Sequence, residues 1–196
     1  MPCKTKTPKS IKTPEIPDIP KCLEEKTVHE GKILSFRELT MEFPSGNTAK
    51  WDLVRHHGAA AVVAVDSDGK LFMVKQYRPG CDRVTVEIPA GCINPGETRR
   101  DAAARELEEE IGYKANDISL LLKYYSAAAY SDEYIEIFLA RDLVKTRQHL
   151  DEDEDLTVYK YDLNTLVKMI LDCEIQDSKT IAAVLAYKAK LENMNN

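Results

Sequence analysis

"GCINPGETRRDAAARELEEEIGY", residues 91–113, sets a Pro-Gly bend ahead of a run of glutamates. From about Thr98 to Ile111 it reads as a helix. Ala102, Ala103 and Ala104 are strong helix formers, Leu107 and Ile111 recur at helical spacing, and Gly112 stands where a C-terminal cap belongs. At about 100° per residue, Glu106, Glu109 and Glu110 share one face, with Glu108 further round. Like charges at i and i+4 repel each other, so the crowding asks for a reason. Carboxylates so spaced can converge on a divalent cation, and hard oxygens suit Mg²⁺ or Mn²⁺. Acidic runs on helices are more often solvated faces with ordinary salt bridges, and spacing alone leaves both open. Arg105 is placed to orient a carboxylate by a charge-assisted bond. Glu97 favours the helix N-terminus and is placed to reach back to the cluster.

Working outward, the flanks mix strands and helices. "GKILSFRELTMEFPSGNTAKWDLV", residues 31–54, alternates apolar and polar residues around a Pro-Ser-Gly-Asn turn and predicts a small antiparallel arm. Ala59–Val65 and Leu71–Val74 flank Asp66-Ser67-Asp68-Gly69 and predict a hairpin. Their near-continuous apolar character places them in a sheet covered on both faces. "TVEIPAG" predicts a further strand, stopped by Pro89 and Gly91. "ISLLLKYYSAA" and "EYIEIFLARDL" are the next strands, and "DEDEDLTVYKYDL" is an acidic loop entering another. "LNTLVKMILDCE" and "DSKTIAAVLAYKAKLEN" are the final helices. This order predicts an α+β fold, a mixed α/β/α sandwich. Residues 1–20, rich in Pro, Lys and Thr, predict a flexible tail; 21–57 the β arm; 58–196 the domain that carries the glutamate helix.

The 196 residues are 43% hydrophobic and 31% charged, which suits one substantial domain with appendages. A net charge of −6 argues against bulk affinity for nucleic acid, which needs a basic footprint. No run approaches the roughly 18 apolar residues of a membrane span. The first residues lack a signal peptide's apolar core. Five scattered cysteines without a close pair suit reduced thiols, and a cytoplasmic location is expected.

Gly91, five residues, Glu97, seven residues, then Arg105-Glu106-Leu107-x-Glu109-Glu110-x-Gly112 resembles the Nudix box in every fixed position. Tyr113 replaces the bulky aliphatic that closes the pattern, a departure at a packing position. The resemblance implies cleavage of a nucleoside diphosphate linked to another group, with divalent metal. It adds the carbonyl of Ala90 to Glu106, Glu109 and Glu110 as a metal ligand. Glycines in the loop let backbone approach phosphate.

Outside the box, "VKQYRPG", "VEIPAGCINPGE", "YSDEYIEIFLA", "DEDEDLTV" and "CEIQDSKTIAAVLAY" resemble the ADP-ribose pyrophosphatase branch, over most of residues 30–190. That resemblance implies a homodimer acting on a nucleoside diphosphate sugar, with N-terminal strands crossing to the partner. It assigns Arg78 to the phosphates or terminal sugar, and Trp51 and Asp52 to the base. Glu133 becomes a pocket acid, Glu152 the base that activates water, and Glu154 a group near the metal. In the residues alone, Arg78 is equally a surface charge, Trp51 an interface ring and "DEDED" a solvated turn. His56 and His57 read as structural or interface groups, because adjacent residues on a strand point opposite ways. One departure bears on substrate. Ala127-Ala128-Ala129 stands where the branch carries a Ser-Pro-Gly-like segment, which opens the reading to other sugars. Two alternatives stand beside this one: a non-hydrolytic nucleotide sensor on the same fold, and a hydrolase of oxidised nucleotides or dinucleoside polyphosphates.

Overall fold

The computed structural model describes residues 19–151 and 154–194. Ten strands and three helices lie among them in the order β1 (Lys21–Glu30), β2 (Leu34–Glu42), β3 (Thr48–His56), β4 (Ala59–Ala64), β5 (Leu71–Arg78), β6 (Arg83–Glu87), β7 (Ala90–Cys92), α1 (Arg99–Ile111), β8 (Tyr113–Tyr125), β9 (Tyr134–Lys145), β10 (Leu156–Tyr161), α2 (Leu163–Leu171) and α3 (Ser178–Met194). They form three sheets, ordered β1-β2-β3, β10-β5-β6 and β7-β4-β9-β8. The predicted tail falls almost wholly outside the described residues.

Strand periodicity explains the layers. In β4, Ala61 and Val63 join one apolar cluster with Ile137, Leu139, Leu166 and Val184, on the side of α2 and α3. Val62 and Ala64, one residue out of phase, join the other with Leu107 and Ile111 of α1. β5 divides likewise, with Leu71 and Met73 on the first side and Phe72 and Val74 on the second. A strand buried on both faces has no polar alternation, so the continuous apolar runs are the signature of this helix–sheet–helix sandwich.

The expected hairpin at Asp66–Gly69 is corrected. The turn forms, with Asp66 N–H donating to the Lys70 carbonyl at 3.0 Å and Gly69 in the left-handed region at φ 78°. The two runs nevertheless part into different sheets and share only a bridge between Val65 and Leu71. β4 has β9 as a parallel neighbour and β7 as an antiparallel one, while β5 lies between β10 and β6. β7 takes Ala59–Ala61 of β4 and β6 takes Val74–Arg78 of β5, so the main ladders of the two strands lie in different sheets. "TVEIPAG" is also divided. Pro89 cannot donate a ladder bond, β6 stops at Glu87, and β7 restarts at Ala90 through Gly91.

The N-terminal sheet holds one strand more than the alternating pattern of 31–54 indicated. β1 pairs with β2 from Lys21–Glu42 to Glu30–Ser35, and it is exposed along its whole length. Arg55 ties this sheet to the rest, holding Glu25 of β1 at 2.7 Å and Asp132 at 2.9 Å.

Candidate active site

Local chemistry sets α1 against β7. Thr98 caps the helix by accepting from Asp101 N–H at 3.1 Å, and Gly112 ends it in the left-handed region at φ 71°. Ala102, Ala103, Leu107 and Ile111 face the sheet. That seats Glu106 and Glu110 under the β7 strand, with 5% and 2% of their surface exposed. Gly91 is required there, since a Cβ would collide with the Glu106 carboxylate. The Ala90 N–H donates to Glu110 at 3.3 Å.

Arg105 organises the acids around it. Its Nη1 donates to Glu106 and Glu109, each at 2.7 Å. Its Nε reaches Glu97 at 2.9 Å, and its Nη2 donates to the Cys92 carbonyl at 2.9 Å and to Glu97. Glu97 reaches back as its position at the helix start allows, and also accepts from Asn94 N–H. The carboxylates therefore spread about a guanidinium. Among the described residues, no three His, Cys, Asp or Glu side chains close on a single point.

Burial pushes Glu106 up to about 7, with Arg105 opposing and Glu109 and Glu154 adding to the rise. Burial pushes Glu110 up to about 9, reinforced by Glu106 and Glu154. Burial among other acids leaves Glu106 and Glu110 short of positive charge, which a hard divalent cation would supply. Glu106, Glu109 and Glu110 of α1 are the carboxylates that could hold it.

Glu154, whose charge adds to the rise at Glu106 and Glu110, follows a segment fastened to the end of α1. Thr146 N–H donates to the Gly112 carbonyl at 2.8 Å and His149 N–H to the Glu109 carbonyl at 3.0 Å. The Gln148 amide donates to the Glu110 carbonyl at 2.6 Å. The carbonyls at a helix end lack intrahelical partners, and here the loop supplies them. Glu152 lies outside the described residues.

Beside the Ala90–Gly91 strand opens a cavity of ≈ 320 Å³, lined among others by Arg78, Glu133, Lys179, His56 and Ser126. Arg78 grips Glu87 with two bonds of 2.8 and 2.7 Å. Lys179, at the start of α3, pairs with the same Glu87 and with Asp177 at 3.1 Å. Burial pushes Glu87 up, but Arg78, Lys179 and Thr85 more than offset it and hold the carboxyl at about 2. Arg78 thus belongs to a buried ion cluster as well as to the cavity wall.

Trp51 and Asp52 are not brought here. Both stand exposed on β3, opposite Leu39 and Glu38, and Trp51 meets Phe43 edge-on at 5.8 Å. The Ala127–Ala129 segment makes a turn in which Tyr130 and Ser131 N–H both donate to the Ala127 carbonyl, with no left-handed residue. Lys179, which no sequence feature singled out, lines the cavity, and so does His56, read from the sequence as a structural or interface group. β3 ends at His56, whose ring also accepts the Gly58 N–H. His57 is exposed.

A model of the NUDIX domain matches residues 55–182. The chain belongs to the Nudix family. It is 39% identical over 177 residues to an "ADP-ribose pyrophosphatase" of Bacillus subtilis (strain 168), covering 87% of this chain and 96% of that one. It is equally 39% identical over 171 residues to a "Methanol dehydrogenase activator" of Bacillus methanolicus, covering 84% and 92%. Among solved structures, an "ADP compounds hydrolase" superposes with a TM-score of 0.79 at 27% identity, covering 89% of this chain and 95% of that one. The solved structure thus shares the fold over most of the chain, while the family model itself begins at residue 55. Nudix hydrolases generally use divalent metal, in keeping with the acids on α1.

Proposed function

We propose that this chain hydrolyses the pyrophosphate bond of ADP-ribose or a related nucleoside diphosphate sugar, giving a nucleoside monophosphate and a sugar phosphate. One observation carries this reading. A buried carboxylate cluster lies against the glycine strand, next to a cavity walled by Arg78 and Lys179. The names of the relatives support the substrate class.

The diphosphate lies between the cavity and α1. A divalent cation bound there, Mg²⁺ or Mn²⁺, would offset phosphate charge and lower the pKa of an attacking water. Glu106, Glu109 and Glu110 would hold it, with the Ala90 carbonyl. Arg105 holds Glu106 and Glu109 in place and keeps Glu97 behind them. A guanidinium offers five N–H donors and Glu87 takes two from Arg78, which leaves Arg78 able to bind phosphate. Glu152 takes the proton of the attacking water, and Glu154 stands near the metal.

The protein acts as a homodimer through its N-terminal arm, residues 21–57, ahead of a catalytic domain over 58–196. Leu23, Val28 and Trp51 are 49%, 55% and 45% exposed on the β1-β2-β3 sheet. Trp51 and Asp52 reach a nucleotide only in the partner's pocket. We place the protein in the cytoplasm, because Cys22, Cys81, Cys92 and Cys173 are all free. Among the described residues no helix is long and apolar enough to cross a membrane.

The test is a substrate panel with Mg²⁺: ADP-ribose, ADP-glucose, GDP-mannose, an oxidised nucleotide and a dinucleoside polyphosphate. Release of nucleoside monophosphate from the diphosphate sugars, fastest of the set, is the expected result. Tight binding of ADP-ribose without turnover would transfer the site to a sensor.

A further inference from the structure

His56 sits at the end of β3 with its side chain 11% exposed, and its neighbours fix both its place and its tautomer. Its backbone N–H donates to Asp132 at 2.9 Å. Its Nδ1 accepts the N–H of Gly58 at 3.0 Å. Gly58 makes that turn in the left-handed region at φ 86°, and a Cβ there would press on the Tyr134 carbonyl at 3.1 Å. A ring nitrogen that accepts a backbone N–H carries no proton, so the hydrogen of this imidazole is on Nε2. Around that Nε2 stand Glu133 Oε1, 3.7 Å away, and the Cys92 sulfur at 4.0 Å.

Glu133 is held as firmly. The Ser126 hydroxyl donates to its Oε2. Its backbone N–H donates to the Ser131 hydroxyl at 3.1 Å, and its carbonyl accepts from Ser126 N–H at 3.1 Å. The result is a donor, Nε2–H, and an acceptor, Oε1, side by side. At 3.7 Å they are too far apart to satisfy each other fully. Both residues line the same cavity as Arg78 and Lys179, beside the Ala90–Gly91 strand. An alcohol oxygen accepts one hydrogen bond and donates another, and it fills this gap. A phosphate does not, because a carboxylate repels it.

We propose that His56 and Glu133 are a hydroxyl-reading pair that selects diphosphates whose second group carries a hydroxyl close to the linkage, as a sugar does. The hydroxyl accepts from His56 Nε2–H and donates to Glu133 Oε1. This deepens the hydrolase reading above and rests on it. The pair makes the enzyme favour a sugar over a plain alcohol ester, since only the hydroxyl supplies the bridging hydrogen bonds that the two groups lack at 3.7 Å.

The two nitrogens of His56 separate by mutation. His56→Asn keeps an acceptor near the Nδ1 position for Gly58 and removes the distal donor; His56→Gln keeps a donor near the Nε2 position. Each is assayed with Mg²⁺ on ADP-ribose and on the β-methyl ester of ADP, which keeps adenosine and diphosphate but has no sugar hydroxyl. The readout is the ratio of the two kcat/KM values, beside the melting temperature. The expected result is a ratio lowered about tenfold or more in His56→Asn and restored to within about threefold of wild type in His56→Gln. Glu133→Gln approaches the pair from its other member, should His56→Asn fail to fold, and lowers the ratio likewise. Equal losses on both substrates, or an unchanged ratio, overturn the pair while leaving the hydrolase reading intact. Wild-type protein that cleaves neither compound overturns both.

Discussion

Glu87 shows how a single buried charge couples stability to the cavity wall. Its carboxyl holds Arg78 and Lys179 and is held at about 2 in the folded chain. A depressed carboxyl stabilises the fold above its unfolded value, roughly 4.3, and that contribution is lost as pH falls toward the folded value. Urea titrations should therefore show stability falling between about pH 4.5 and pH 2. Glu87→Gln takes the carboxylate from Arg78 and leaves Lys179 with Asp177 alone, and should cost about 3 kcal/mol at pH 7, with a flatter acid limb. An unaltered acid limb in the variant would assign the pH dependence to other groups. Lys179 carried no motif of its own in the sequence. Only the packing of α3 beside β6 discloses that it shares a counter-ion with Arg78.

At the scale of elements, the junction between α1 and the following acidic loop matters most. Three donors from 146–149 satisfy carbonyls at the end of the helix that bears the acids. Gly112 makes this close approach possible: besides its φ of 71°, an added Cβ would meet Gln148 N at 2.9 Å. Gln148→Ala should lower kcat about tenfold, since small misplacements of catalytic groups are costly, with KM nearly unchanged. The fold should weaken by only about 1 kcal/mol, the worth of one hydrogen bond. Stopped-flow or steady-state assays beside thermal melts separate the two effects. A proportional fall in both would make the clamp a general support. The helix itself was legible because its alanines, cap and apolar spacing agree. The clamp was not, because a side chain bonding to a distant backbone carbonyl leaves no periodicity.

For the whole molecule, the layered sandwich was legible from apolar runs on both sides of Asp66–Gly69, yet their sheet assignment was not. Local turn chemistry favours a hairpin, and the decision passes to β9, whose parallel pairing with β4 joins residues some 75 positions apart and leaves no local signal. The acids of α1 were legible from spacing and from their resemblance to a family. Their gathering about Arg105 needed coordinates. The proposed dimer rests on the exposed apolar residues of the N-terminal sheet. Light scattering at micromolar concentration should give twice the 22.1 kDa of one chain, and truncation of residues 1–30 should shift the mass downward. A monomer mass for the intact chain would remove Trp51 and Asp52 from any shared pocket.

The central claim is that the glutamates of α1 hold a cation which breaks a diphosphate bridge. Its most direct test is AMP release from ADP-ribose under Mg²⁺, compared between wild type, Glu110→Gln, and wild type treated with chelator. The account predicts AMP and ribose 5-phosphate from wild type alone, with a loss of about a hundredfold or more in the variant and after chelation. AMP released at an undiminished rate by Glu110→Gln, or in the presence of chelator, would contradict it.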